Sequence, residues 1–140
     1  MANTQAISGT MKQVALGAVV DGKSLKAALY LASATTNGTN TVYTATGEVS
    51  GTNYTAGGVS VTNANTAGLT STTAYWTPSA SITYTTVTLS TAFDAVMIYS
   101  TTDTNRNLGV FTFGSQTITA GTLTLTMPTN DSSTGLIRFA

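Results

Sequence analysis

The chain of 140 residues contains no cysteine and no histidine, and its ten charged residues, five of each sign, cancel. Each absence removes a class of chemistry. Without cysteine there is no disulfide framework, no thiolate metal site and no thiol nucleophile. Without histidine, a Ser or Thr nucleophile lacks its usual base. A net charge of zero leaves no basic stripe to neutralise phosphates, which argues against nucleic acid as a partner. No apolar run approaches the length of a membrane-spanning helix. The start, Met1 to Thr4, shows no charged stretch leading into an apolar one, so no secretory signal is read and synthesis in the cytoplasm is expected.

What remains is Thr, Ser, Gly, Asn and Ala between short apolar runs. Charged residues make up 7% of the chain, where an ordinary domain carries about 25%. Disorder usually joins low hydrophobicity to high net charge, and a 41% hydrophobic content with zero net charge does not fit it. The composition describes a folded β-protein whose solvent faces carry Thr, Ser and Asn. Such a surface lacks the mutual repulsion that keeps free proteins apart, which suits a component of an assembly.

Period-two alternation bounded by Gly, Asn, Asp or Pro recurs along the second half of the chain. Thr122 to Met127 sets Leu123, Leu125 and Met127 on one face and threonines on the other, and Pro128 ends the run. Ile82, Tyr84 and Val87 to Leu89 form a longer strand. Ala95 to Tyr99 is apolar on both parities, as a strand buried on both faces would be. Val110, Phe111 and Phe113 are its hairpin partner across the polar segment Thr101 to Asn107. Gly114-Ser115-Gln116 and Ala120-Gly121 read as turns around a short strand, Thr117 to Thr119. Leu136 to Phe139 closes the chain as a strand. Leu25 to Ala32 is assigned as a strand over a competing helix, and Thr10 to Ala18 as a further strand framed by Gly9 and Gly17. Thr35 to Gly58 is expected to be an ordered excursion, with a short helical turn, pinned by its aromatics. The fold class that follows is all-β, a single-domain β-sandwich of jelly-roll type with about eight short strands. Residues 1–18 are set apart as an N-terminal segment, a possible interface arm, and residues 19–140 as the sandwich.

Candidate chemistry is sparse. A glycosidase needs two carboxylates about 5–10 Å apart in contrasting environments. Asp21, Glu48, Asp94, Asp103 and Asp131 are scattered through the sequence and read more simply as turn and strand-end residues. Asp103 to Asn107 opens like a calcium loop, but Leu108 stands where that loop requires Gly and Gly114 where it requires Glu. A polar hairpin turn explains the same residues. Gly57-Gly58 lacks the Lys and spacing of a phosphate loop, and no Ser-x-x-Lys dyad precedes Lys12, Lys23 or Lys26. Asn37, Asn53 and Asn130 match the glycosylation pattern by chance composition. Trp76 with Tyr75 and Tyr84 forms either an aromatic platform for sugar or, more simply, part of the core. Neither an enzymatic site nor a cofactor or metal site is expected.

Two segments carry a resemblance. Lys26 to Ala32 followed by Thr44 to Gly58, and Ala95 to Ser100 followed by Asn105 to Asn107 and Val110 to Gly114, resemble a pattern of small structural proteins of tailed bacteriophages. The closing run through Met127-Pro128 and Leu136 to Arg138 fits it too, so the likeness covers most of the chain after Lys26. Within that group the chain is most similar to the podovirus-type cement (decoration) proteins. The resemblance implies a jelly-roll fold on the capsid exterior of the virion, clamping neighbouring capsomers of an HK97-like shell. The implied partners are the major capsid protein and further copies of the chain itself, as a homodimer or trimer, with neither nucleic acid nor membrane. Met11, Val14, Leu16 and Val19 are expected as apolar anchors, with Val49 and Tyr54 in the excursion from Gly47 to Gly58. Thr-rich edge strands offer backbone hydrogen bonds for strand addition. The alternative is a tail-fibre or adhesin module binding host-surface glycans through exposed aromatics.

Overall fold

A computed structural model describes residues 3–140, which form one helix and seven strands. Helix α1 (Gly9–Val20) leads into β1 (Leu25–Leu31). A long excursion follows, then β2 (Val59–Val61), β3 (Gly68–Thr70), β4 (Thr73–Trp76), β5 (Ile82–Ser100), β6 (Arg106–Leu125) and β7 (Ile137–Phe139). The strands make two antiparallel sheets, ordered β2-β1-β5-β6 and β3-β4-β7. The architecture is all-β apart from α1.

Strand β1 shows why the larger sheet sits at the centre. Leu25, Ala27 and Leu29 enter the main core, while Ala28 and Tyr30 enter a second cluster on the opposite face with Ala95, Met97 and Tyr99. A strand covered on both sides needs apolar residues at both parities. The run Ala95 to Tyr99 in β5 meets the same demand, every residue being buried. Trp76 is fully buried and donates its indole N–H to Asn63 Oδ1 at 3.2 Å and to the Asn65 carbonyl at 3.3 Å. It belongs to the core.

Strands β5 and β6 form one hairpin of 19 and 20 residues, far beyond the usual five or six. Its turn is the polar segment expected, with Thr104 and Asn105 at positive φ. Five register shifts punctuate the ladder. They correct the expectation of turns at Gly114-Ser115-Gln116 and Ala120-Gly121: both stretches lie inside β6. The extra residues are absorbed as bulges, which keep the chain extended while adding twist. At one of them Ala120 takes φ 47° and its N–H reaches Thr88 Oγ1 at 2.9 Å.

The expected strand at Thr10 to Ala18 is helix. Ser8 is its N-cap, its hydroxyl accepting from the Met11 N–H at 3.2 Å, and Lys, Gln, Ala, Leu and Met are good helix formers. Leu16 and Val20, one helical turn apart, drop into the main core. The two-residue spacing of Val14 and Leu16 reads as one face of a strand, whereas the helix turns Val14 outward and Leu16 inward. The boundary between residues 18 and 19 therefore falls inside α1, which packs against β3, β4 and β7 as part of the same body.

The excursion across residues 35–58 contains no helix and is tied down by three bridges, Val42 to Arg106, Glu48 to Tyr30 and Thr52 to Thr88. Its return passes so close to β1 that a Cβ on Gly58, at φ 76°, would collide with the Ala27 carbonyl.

Candidate interaction site

Helix α1 has two faces with different fates. Its inner face is clamped by Leu16 and Val20, and by polar contacts to the strands beneath. Gln13 Nε2 donates to the Ala67 carbonyl at 2.9 Å, Lys12 Nζ to the Thr72 carbonyl at 3.2 Å, and Asp21 Oδ1 accepts from the Ala67 N–H at 2.7 Å. The outer face carries Met11 and Val14, exposed by 58% and 66%, and Ile7, exposed by 59%, immediately precedes the Ser8 N-cap. Met11 and Val14, three residues apart within the helix, are neighbours on its surface. Two adjacent exposed apolar side chains on the helix, with a third just before its N-cap, make a small adhesive stripe, where scattered exposed residues would need no explanation.

The six residues singled out from sequence separate cleanly. Met11 and Val14 are on the stripe. Leu16 and Val49 are buried, 1% and 4% exposed, so neither is a contact residue. Val19 and Tyr54 are half-buried against the core. Ile7, exposed just before the N-cap, was not among the six. Deleting residues 1–18, of which Met1 and Ala2 lie outside the described residues, would remove Leu16 from the core; it would report on folding rather than binding.

Tyr54 and Val49 face inward because Glu48 organises the excursion. Its Oε2 accepts from the Tyr43 hydroxyl at 2.6 Å. Its Oε1 accepts from the Tyr54 hydroxyl and from the Gly57 N–H, both at 2.7 Å. Tyr54 Oη in turn accepts from the Leu29 N–H at 3.0 Å, which fastens the hub to β1. Around it Tyr30 donates to the Thr44 carbonyl, Tyr99 to the Gly57 carbonyl and Tyr84 to the Ala27 carbonyl. Tyr43 stacks on Tyr99 with ring centroids 4.7 Å apart. Burial first, and then the Glu48 charge, push the Tyr30 hydroxyl up to about 12. Burial also raises Tyr43, Tyr54, Tyr84 and Tyr99 above the ordinary tyrosine value, followed by the Glu48 hydrogen bond at Tyr43 and Tyr54 and by its charge at Tyr84 and Tyr99. A sequence signal for the hub existed: Glu48 is the sole acid between Asp21 and Asp94, set among tyrosines.

Other acids hold turns and ends. Asp103 pairs with Lys23 at 3.1 Å, and the hydrogen bond from that ammonium keeps its carboxyl below the usual range. Asp131 accepts from the Thr134 and Ser133 N–H groups, which lower it likewise. Among the described residues no group of three or more potential metal ligands converges, and no helix is long and apolar enough to cross a membrane.

A second apolar feature lies where the main core reaches the surface beside β6. It is a cleft of about 420 Å³ walled by Val96, Ile98, Phe111, Phe113, Leu123 and Met127. The molecule is thus a two-sheet antiparallel β-domain with an apolar helical stripe and an open core edge. Compared with known proteins, the chain matches no family model, no curated sequence and no solved structure.

Proposed function

We propose that this chain is a non-enzymatic structural protein that binds the outside of an HK97-like phage shell and cements neighbouring capsomers. The observation that carries the reading is the stripe of Met11 and Val14, exposed apolar neighbours on a helix whose opposite face is locked into the core, with exposed Ile7 just before its N-cap. A surface almost without charge adds to it, since such a protein is best kept at high density against other protein. The phage-like segments support the setting. Lys26 to Ala32 and Thr44 to Gly58 meet around Glu48 and Gly58, so the resemblance runs through residues that build the fold. The finer reading of the two sheets as a jelly-roll-type sandwich rests on their shared core and on that resemblance. A cement protein acts by binding the assembled shell better than its parts, and many weak contacts sum through multivalency. The glycan-binding alternative loses its central aromatic, because Trp76 is buried.

Two measurements test the reading. Quantitative mass spectrometry of purified virions should find this chain in a simple ratio to the coat subunit; a handful of copies would move it to a vertex or the tail. Met11→Lys combined with Val14→Lys should change stability by no more than about 0.5 kcal/mol, as exposed substitutions do, while abolishing co-sedimentation with shells. Undiminished binding by that variant would remove the stripe from the interface.

A further inference from the structure

The geometry points to a second copy of this chain as the occupant of the open β6 edge, paired antiparallel through Gly109 to Phe113 about a twofold axis at Phe111. This inference does not depend on what the helical stripe binds.

Strand β6 is the outermost strand of the larger sheet. The excursion covers only its first residues: Val42 bridges Arg106, and the Asn107 N–H donates to the Thr41 carbonyl at 3.0 Å. Beyond Asn107, among the described residues, no backbone hydrogen bond from another segment reaches the outer side of β6. Natural edges are guarded by charge, proline, bulges, shortness or cover. From Asn107 to Asn130 the chain has no charged residue, and Pro128 lies beyond the strand. Bulges guard the far part of β6, where the shifts opposite Tyr84 to Ala95 fall, and one shift precedes Gly109. Between them, Gly109 to Thr112 pair with Ile98 to Ala95 in unbroken register. That stretch is the flat, unguarded part of the edge.

Its sequence fits itself. In an antiparallel pair, directly opposed residues share a face, so a self-paired strand keeps its faces matched only with a residue on the twofold. With Phe111 there, Val110 lies opposite the partner's Thr112, and Gly109 opposite the partner's Phe113. Phe111 and Phe113 point to the main core and line the cleft, whereas Val110 packs on the second cluster. Pairing therefore joins two apolar clefts on one face and sets β-branched residues opposite one another on the other. Aromatic and β-branched cross-strand pairs of this kind favour association. No like charges meet anywhere along the contact.

Thr112 is exposed, so a charge there should leave the fold intact. Across the proposed axis the two Thr112 side chains are diagonal neighbours, roughly 7–8 Å apart, within reach of a Lys–Glu pair. By sedimentation equilibrium the wild-type chain is expected to dimerise, with Thr112→Lys and Thr112→Glu each weakening the dimer on the order of tenfold or more. Mixing the two variants should restore a heterodimer. Should either variant unfold, hydrogen exchange of wild type carries the test: Gly109 to Phe113 should gain protection as concentration rises. A monomeric wild type would overturn the proposal, leaving the edge for a strand of another protein. Unaltered dimers in both variants, failed rescue on mixing, or exchange independent of concentration would overturn it as well. Met11→Lys with Val14→Lys should dimerise like wild type, so failure of the stripe and failure of the edge are separately visible.

Discussion

Replacing Glu48 with alanine is expected to destabilise the protein by about 2–5 kcal/mol, a large share of the roughly 5–15 kcal/mol that holds a domain folded. Three donors converge on this carboxylate: the hydroxyls of Tyr43 and Tyr54, and the Gly57 N–H. A donor left unsatisfied away from water costs about 1–3 kcal/mol, and the half-buried position of Glu48 lets water offset part of that. Glu48→Gln keeps a single acceptor oxygen in place of two, so it should lose less, about 1–2 kcal/mol. Urea unfolding measures both. Limited proteolysis should find cleavage concentrated in residues 35–58 of the alanine variant, because Tyr54 would no longer be fastened between Glu48 and β1. Equal stability of all three proteins would show that the three bridges hold the excursion without the carboxylate.

The second large effect is alkaline unfolding. Five of the six tyrosines are held protonated beyond their ordinary value of 10.0. The folded state therefore binds tyrosine protons more tightly than the unfolded chain does. Below pH 10 that preference is fully present as stability, and it is lost as pH rises through the folded values. A deeply buried tyrosine such as Tyr84 removes about 1.4 kcal/mol for each pH unit in that window. Since Tyr30 is raised to about 12 and others are raised with it, stability should fall steeply above the ordinary value of 10.0. Absorbance of tyrosinate and loss of sheet circular dichroism should then coincide in one cooperative step. Tyrosines ionising near their ordinary value with the circular dichroism unchanged would show that the hydroxyls are open to solvent.

The parts of this molecule that were legible in its sequence are those where one residue type answers one local demand. Ala95 to Tyr99 needs apolar side chains at both parities because both faces of β5 are covered there, and the pattern says so. Thr104 and Asn105 sit in a polar run that a hairpin turn explains. Helix α1 was missed because Val14 and Leu16 fit a period of two, whereas the helix sets them on opposite faces and buries Leu16 with Val20 instead. The length of β6 was hidden because glycines mark bulges and turns alike. Two of the proposed contact residues, Leu16 and Val49, were apolar residues that the core required, and sequence alone does not say which side of a surface an apolar residue takes. Glu48 was set aside with the other acids because its three donors come from positions that only the folded excursion brings together.

The order in which the sheet is woven sets when the protein can form at all. Strand β1 is central, yet its main neighbour β5 pairs Leu25 with Ser100 and Leu31 with Phe93, so the partner is synthesised long after β1 itself. Strand β4 likewise waits for β7 at the end of the chain, where Trp76 meets Ile137. The β5–β6 hairpin and the short β3–β4 hairpin, closed at Thr70 and Thr73, pair neighbours in sequence across a short turn. Contacts between distant positions make folding slow, because chain closure must precede any gain from pairing. On the ribosome the N-terminal half can pair β1 with no more than the three residues of β2, and both sheets are complete only after β6 and β7 have emerged.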